Sequence, residues 1–168
     1  MTAGATLARV RAIAGSVPDP ELPMLTLGDL GILRGVRADG DTIVVSLTPT
    51  YSGCPALREM RLDVARRLAA AGWADVQVTM VLSPPWSTDW ITAPGRRKLA
   101  AAGIAPPGPA PRRAQGPVPL TLTAAPGVTC PACGSRDTEL TAAFSGTACK
   151  DLHRCRACRE PFEHVKEI

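Results

Sequence analysis

The stretch Cys130-Pro131-Ala132-Cys133-Gly134, answered downstream by Cys155-Arg156-Ala157-Cys158, decides the architecture of the C-terminal part of the chain. A Cys-x-x-Cys knuckle turns tightly enough to aim two sulfurs at one ion, and two knuckles supply four ligands. Thiolates at about 2.3 Å in a tetrahedron suit zinc, and a closed set of four leaves no position for substrate or activated water, so the predicted role of Cys130, Cys133, Cys155 and Cys158 is structural. Two disulfides or redox dithiols are the alternatives for the same spacing. Between the knuckles, residues 138 to 144 and 150 to 154 read as short strands, the pattern of a zinc ribbon. Its large apolar residues are few: Leu120, Leu122, Leu140, Phe144, Leu152, Phe162 and Val165. So small a core predicts that metal binding and folding are one event.

Upstream, residues 105 to 119 carry too much proline and glycine for a helix or a central strand. They read as a stiff, extended linker that holds two modules apart. Before it, Leu7, Val10, Ile13 and Ala14 mark one face of a helix over Thr6 to Ser16, ended by Pro18-Asp19-Pro20-Glu21-Leu22-Pro23. Residues 31 to 37 and 42 to 48 are predicted strands joined across Asp39-Gly40, with Ile43, Val45 and Leu47 facing inward. A helix from Pro55 to Ala71 follows, with an apolar stripe of Leu57, Met60, Val64 and Leu68. A strand from Val76 to Leu82 and a short helix near Gly95 to Ala102 complete the set. The predicted fold class is therefore α+β: an α-β-β-α-β layered domain over 1–104, a proline-rich linker over 105–119 and a separate zinc-ribbon β domain over 120–168.

The composition is that of an ordinary water-soluble chain, with 168 residues, 45% hydrophobic and 20% charged. No stretch approaches the roughly 18 apolar residues of a membrane helix, and the N-terminus reads as no secretory leader. The expected compartment is the cytoplasm, where thiols stay reduced, which favours metal over disulfides at the knuckles. A net charge of +4 comes from scattered arginines, among them Arg66, Arg67, Arg96, Arg97, Arg112 and Arg113. A pI near 8.9 admits a nucleic-acid-binding ribbon. Against that reading, the ribbon lacks the interleaved aromatic and basic stripe that stacking modules use.

Two cysteines remain. Cys54 lies in Thr48-Pro49-Thr50-Tyr51-Ser52-Gly53-Cys54-Pro55, immediately before a helix whose first position is proline. Helix N–H groups and the positive end of the dipole would lower its thiol pKa, making it a candidate functional thiol. The competing reading is a small residue that packs at the helix start. A thiol enzyme would also need a base or a resolving cysteine, and none is near in sequence. Cys149 falls on the hairpin between the knuckles and reads as a packing or hydrogen-bonding residue. His153 and His164 read as strand residues with exposed rings rather than ligands.

Taken together, Asp19-Pro20-Glu21-Leu22-Pro23, Asp29-Leu30-Gly31-Ile32, the Thr48 to Pro55 segment and Cys155-x-x-Cys158-x-Glu160-Pro161-Phe162 resemble the PaaD family over nearly the whole chain. These proteins are accessory subunits of the phenylacetyl-CoA monooxygenase (epoxidase). The N-terminal part is similar to the iron-sulfur assembly domain of SufT, and the C-terminal part to the family's zinc ribbon. The resemblance implies that Cys54 is the reactive position and transient iron-sulfur ligand, with Asp19, Glu21 and Thr50 around it; Ser52, two residues before the thiol, is a further hydroxyl that could hydrogen-bond in the same pocket. It further implies structural Zn2+ in the ribbon and a non-catalytic maturation role, with epoxidase subunits as partners, above all the ferredoxin-type reductase. A homodimer could pair two Cys54 thiolates. The chain departs from the family pattern at Phe144-Ser145-Gly146-Thr147 and at His153, where an aromatic is expected.

Overall fold

A computed structural model describes residues 3–51, 53–111 and 127–168. The chain divides into two compact units, Met1–Lys98 and Leu99–Ile168. In the first, the order is α1 (Ala3–Gly15), β1 (Leu33–Asp39), β2 (Thr42–Leu47), α2 (Ala56–Ala70) and β3 (Val76–Met80), the α-β-β-α-β succession that the apolar periodicity predicts. β1 and β2 form an antiparallel hairpin closed at Asp39↔Thr42, with Gly40 at φ +61° in its turn. β3 instead lies parallel to β2, from Ile43↔Val76 to Leu47↔Met80. Parallel neighbours need a long crossover, and α2 supplies it. β2 is the central strand, and Val44 is buried as well as Ile43, Val45 and Leu47, because both of its faces are covered.

On α2 the buried stripe is Ala56, Met60, Val64 and Leu68, spaced by four, while Leu57 is only half-buried. Each large apolar side chain removed from water contributes about 1.5–3 kcal/mol. α1 adds Val10 and Ala14, both fully buried. No helix among the described residues is long and apolar enough to cross a membrane.

The Asp29-Leu30-Gly31-Ile32 segment is held from several sides. Asp29 Oδ2 accepts from the Thr26 N–H and hydroxyl, each at 3.0 Å, and from Lys98 Nζ at 2.6 Å. Its carbonyl accepts the Thr92 N–H at 2.8 Å, and the Leu30 carbonyl accepts Trp86 Nε1–H at 2.8 Å. Between them Gly31 adopts φ +68°, where an added Cβ would stand 2.7 Å from Trp90 Cβ and 2.8 Å from its carbonyl oxygen. The left-handed backbone alone disfavours a side chain by about 1–2 kcal/mol, and overpacking adds about 1–3 kcal/mol. Gly31→Ala should therefore destabilise the first unit by about 2–5 kcal/mol, read as a lowered urea midpoint at unchanged slope.

The second unit contains an antiparallel sheet of β4 (Thr138–Ala142), β5 (Lys150–Cys155) and β6 (Pro161–Val165), with β5 central. Its core is Ala105, Cys130, Cys155 and Phe162, with Val128 packed against them. Leu140 and Phe144, expected in that core, are 56% and 68% exposed. β6 is a strand that the periodicity does not announce; Pro161 is tolerated because it is the strand's first residue.

The domain boundary also differs from the composition-based reading. The division falls inside α3 (Ala93–Ala101), between Lys98 and Leu99. Ala105, read as the first linker residue, is 1% exposed, donates its N–H to the Glu163 carbonyl at 2.8 Å and accepts from the Val165 N–H at 3.1 Å. An extended segment satisfies the outer edge of β6, which would otherwise present unpaired backbone groups. The rest of the proposed linker from residue 112, together with Leu120 and Leu122, lies outside the described residues.

Candidate functional site

The two knuckles close in the same way. In the first, Gly134 at φ +75° sends its N–H to the Cys130 carbonyl at 2.9 Å, while the Cys130 N–H reaches the Ser135 carbonyl at 2.9 Å. In the second, Arg159 takes the left-handed position at φ 67°, and the Cys155 N–H reaches the Glu160 carbonyl at 2.9 Å. The four sulfurs converge: Cys130 Sγ to Cys158 Sγ is 3.8 Å and Cys133 Sγ to Cys155 Sγ is 3.6 Å, with all four within 4.8 Å of one another. A tetrahedron with metal–sulfur bonds of about 2.3 Å has edges of about 3.8 Å, so the donor set fits one tetrahedral ion. All four thiols are free. The N–H of Cys158, pointing at the sulfur of Cys155, lowers that thiol to about 7. At Cys158 the Glu160 N–H works downward, yet desolvation and the neighbouring sulfurs push the thiol up to about 12. Four thiolates this close need a cation among them.

Cys54 stands two residues before α2, between Gly53 and Pro55, whose backbone leads the chain into the helix, and is 8% exposed. The backbone N–H groups of Ala56 and Leu57 favour its thiolate, as expected at a helix start. The net direction is nevertheless the reverse of the sequence expectation. Burial pushes the thiol pKa up, and the carboxylates of Glu21 and Asp19 push it further. Those two acidic residues thus lie within electrostatic reach of the sulfur. Asp19 is itself buried, its Oδ1 accepting the N–H groups of Glu21 at 2.8 Å and Leu22 at 2.9 Å, which pins the loop. Thr50 is half-buried on the loop between β2 and α2, and Ser52 lies outside the described residues.

Of the other candidates, Cys149 is half-buried beside the Thr147 hydroxyl at 3.1 Å, in keeping with a hydrogen-bonding role. The two histidines differ from expectation: His153 is 8% and His164 3% exposed. They share one face of the sheet with Cys155 and Phe162, because the alternation Asp151, His153, Cys155 along β5 meets Phe162 and His164 on β6. The period-two spacing of His153 and the knuckle residue Cys155 is the signal in the sequence that sets both on the inward face.

Comparison with known proteins finds two families along the chain. Residues 7–80 match the family described as iron-sulfur cluster assembly protein, and residues 114–166 match the PaaD zinc beta ribbon domain. A protein of Escherichia coli (strain K12), provisionally named as one of the subunits of 1,2-phenylacetyl-CoA epoxidase, is 42% identical over 94% of this chain and 90% of its own. A crystal structure of a domain of unknown function (DUF59) from Bacillus anthracis superposes with a TM-score of 0.53 at 28% identity, covering 57% of this chain and 92% of that one. A solution structure from Mycobacterium tuberculosis, of a protein associated with [Fe-S] complex assembly and repair, is 32% identical over 61% of this chain and 90% of that one; its TM-score of 0.36 is too low to bear on the fold. With both of its domain families matched in order and a relative aligned along almost its full length, the chain belongs to the PaaD family.

Proposed function

We propose that the protein is a non-catalytic maturation factor that helps insert or repair the iron-sulfur or iron centre of a phenylacetyl-CoA 1,2-epoxidase system in aerobic phenylacetate degradation. The observation that carries this reading is the setting of Cys54: a buried thiol at the start of α2, with helix N–H groups on one side and the charges of Asp19 and Glu21 within reach. A thiol with a raised pKa stays protonated near neutrality and is a poor nucleophile, which argues against a thiol enzyme. The same carboxylates that disfavour a bare thiolate favour a cation beside it, so an incoming iron centre can displace the proton and be held by sulfur. A single cysteine releases such cargo more readily than a closed set of four.

In this reading Zn2+ fills the four-cysteine site of the ribbon and makes it a folded docking surface. Its partners are the other epoxidase subunits, chiefly the ferredoxin-type reductase, and two copies of the chain would pair their Cys54 sulfurs. A nucleic-acid-binding or adaptor ribbon is the second reading, and it predicts binding that weakens steeply with salt. Anaerobic reconstitution with ferrous iron and sulfide tests the first. Visible sulfur-to-iron absorption is expected in the unmodified protein and not in Cys54→Ser, at equal ribbon metal content. Equal absorption in both would move the iron to the ribbon cysteines and overturn the proposal.

A further inference from the structure

The ribbon's sheet buries a second group of donors that the four-cysteine site does not use. Asp151, His153 and His164 place a carboxylate oxygen and two imidazole nitrogens within 4.8 Å of one another. They lie on one face, since Asp151 pairs with His164 across β5 and β6 and His153 follows two residues along β5. Asp151 Oδ1 is 2.9 Å from His164 Nδ1 and 3.1 Å from His153 Nε2. Only the first contact is aligned as a hydrogen bond. Both nitrogens of the buried His153 ring therefore lack a hydrogen-bond partner among the described residues. Its ring stacks on Phe162 at 5.7 Å and meets the His164 ring edge-on at 5.4 Å, which fixes its orientation.

A buried imidazole with both nitrogens unsatisfied is costly unless something occupies the position it faces. Two imidazoles converging on one carboxylate oxygen are poorly served by one another, but all three suit an ion between them. We propose that Asp151, His153 and His164 form a second metal site that takes a divalent transition-metal ion of borderline softness, such as Zn2+, Co2+ or Fe2+. Imidazole and carboxylate donors suit that class, whose bonds to nitrogen and oxygen are about 2.0–2.2 Å long. Donor separations would then be about 3.2–3.5 Å, a few tenths of an ångström wider than those between Asp151 and the two rings.

The outer contacts fit the same assignment. His164 Nε2 faces Glu167 Oε1 at 3.4 Å, so ligation through Nδ1 leaves the other ring N–H aimed at a carboxylate, the usual support of a metal-bound histidine. Strand alternation puts Lys150 and Arg154 on the opposite face of β5, away from the donors, and Lys150 is paired with Glu163 at 2.7 Å. A cleft of about 1000 Å³, lined by Val128, Leu140 and Glu167 among others, reaches all three donors and gives an ion access. Three protein ligands leave a fourth position open, unlike the closed cysteine set.

Cobalt titration of the full-length chain distinguishes the two sites. The protein carries Cys54→Ser, so that this thiol takes no metal, and is stripped of metal under reducing conditions before Co2+ is added. The first equivalent is expected to give intense thiolate-to-cobalt charge transfer as the ribbon forms. The second should add ligand-field bands without further charge transfer. In Asp151→Asn/His153→Gln/His164→Gln the first equivalent should be unchanged, which reports an intact ribbon, and the second lost. Glu167→Gln should weaken the second equivalent by about 10–100-fold and spare the first. Saturation at one equivalent without the site substitutions, or a second equivalent that survives the triple substitution, overturns the proposal.

Discussion

Cys130→Ser should unfold the ribbon and leave the first unit folded. The expected signature is loss of ribbon amide protection and rapid proteolysis of the C-terminal part, with the cooperative unfolding of residues up to Lys98 unchanged. The size of the effect follows from what else holds the ribbon. Among the described residues its core cluster holds one large apolar side chain, Phe162, beside Ala105, Cys130 and Cys155, and Leu140 and Phe144 face water. Burying a phenylalanine contributes about 1.5–3 kcal/mol, whereas binding a structural zinc ion at four ligands contributes about 10–16 kcal/mol of folding free energy near neutral pH. The metal dominates. A strong chelator should reproduce the variant's behaviour in the unmodified protein, and zinc should reverse it. Cys149→Ser is the control, since that thiol stands apart from the four converging sulfurs beside Thr147. A ribbon that stays protected after Cys130→Ser, or through exhaustive chelation, would show that packing suffices and would remove the metal from the argument.

What is legible in the sequence follows the strength of local signals. Knuckle spacing is short-range and chemically specific, so it names the four ribbon cysteines, and the structure brings their sulfurs to 3.6 and 3.8 Å. The 3.6-residue period of α2 and the alternation in β2 likewise place Met60, Val64, Leu68, Val45 and Leu47 inward. Three features depend on contacts distant in sequence and escape a local reading. Proline-rich composition speaks for a linker at Ala105, but the edge of β6 needs a partner and takes it. Helix-start chemistry predicts a lowered Cys54 pKa, and only the fold brings burial, Glu21 and Asp19 to bear against it. Two histidines among charged neighbours look like exposed strand residues; pairing Asp151 with His164 is what buries them. In each case a tertiary contact outweighs a local preference.

Cys54→Ser should abolish support of epoxidase activity in a host whose own copy of the gene is deleted, without costing stability. Serine is close to cysteine in size, and its hydroxyl oxygen can accept the same Ala56 and Leu57 N–H groups that face the sulfur. Serine is also a favoured residue at helix starts, so the unfolding midpoint should hold or rise slightly. What serine lacks is a soft, readily ionised donor for iron. Removing a group that only supports a ligand typically weakens metal binding or activity about 10–100-fold, and removing the ligand itself should exceed about 100-fold. Asp19→Asn gives the graded case. The amide oxygen can still accept the Glu21 and Leu22 N–H groups that pin the loop, but the charge near the sulfur is gone. The Cys54 pKa should then fall toward its ordinary value, detected as faster alkylation at neutral pH, while epoxidase support drops only in part because cation attraction has weakened. Full activity in the Cys54→Ser host, with the substituted protein folded and present, would leave the ribbon as the functional half of the molecule. Loss with the fold intact, together with a thiol more reactive in Asp19→Asn, would tie the function to the sulfur and to the charge beside it.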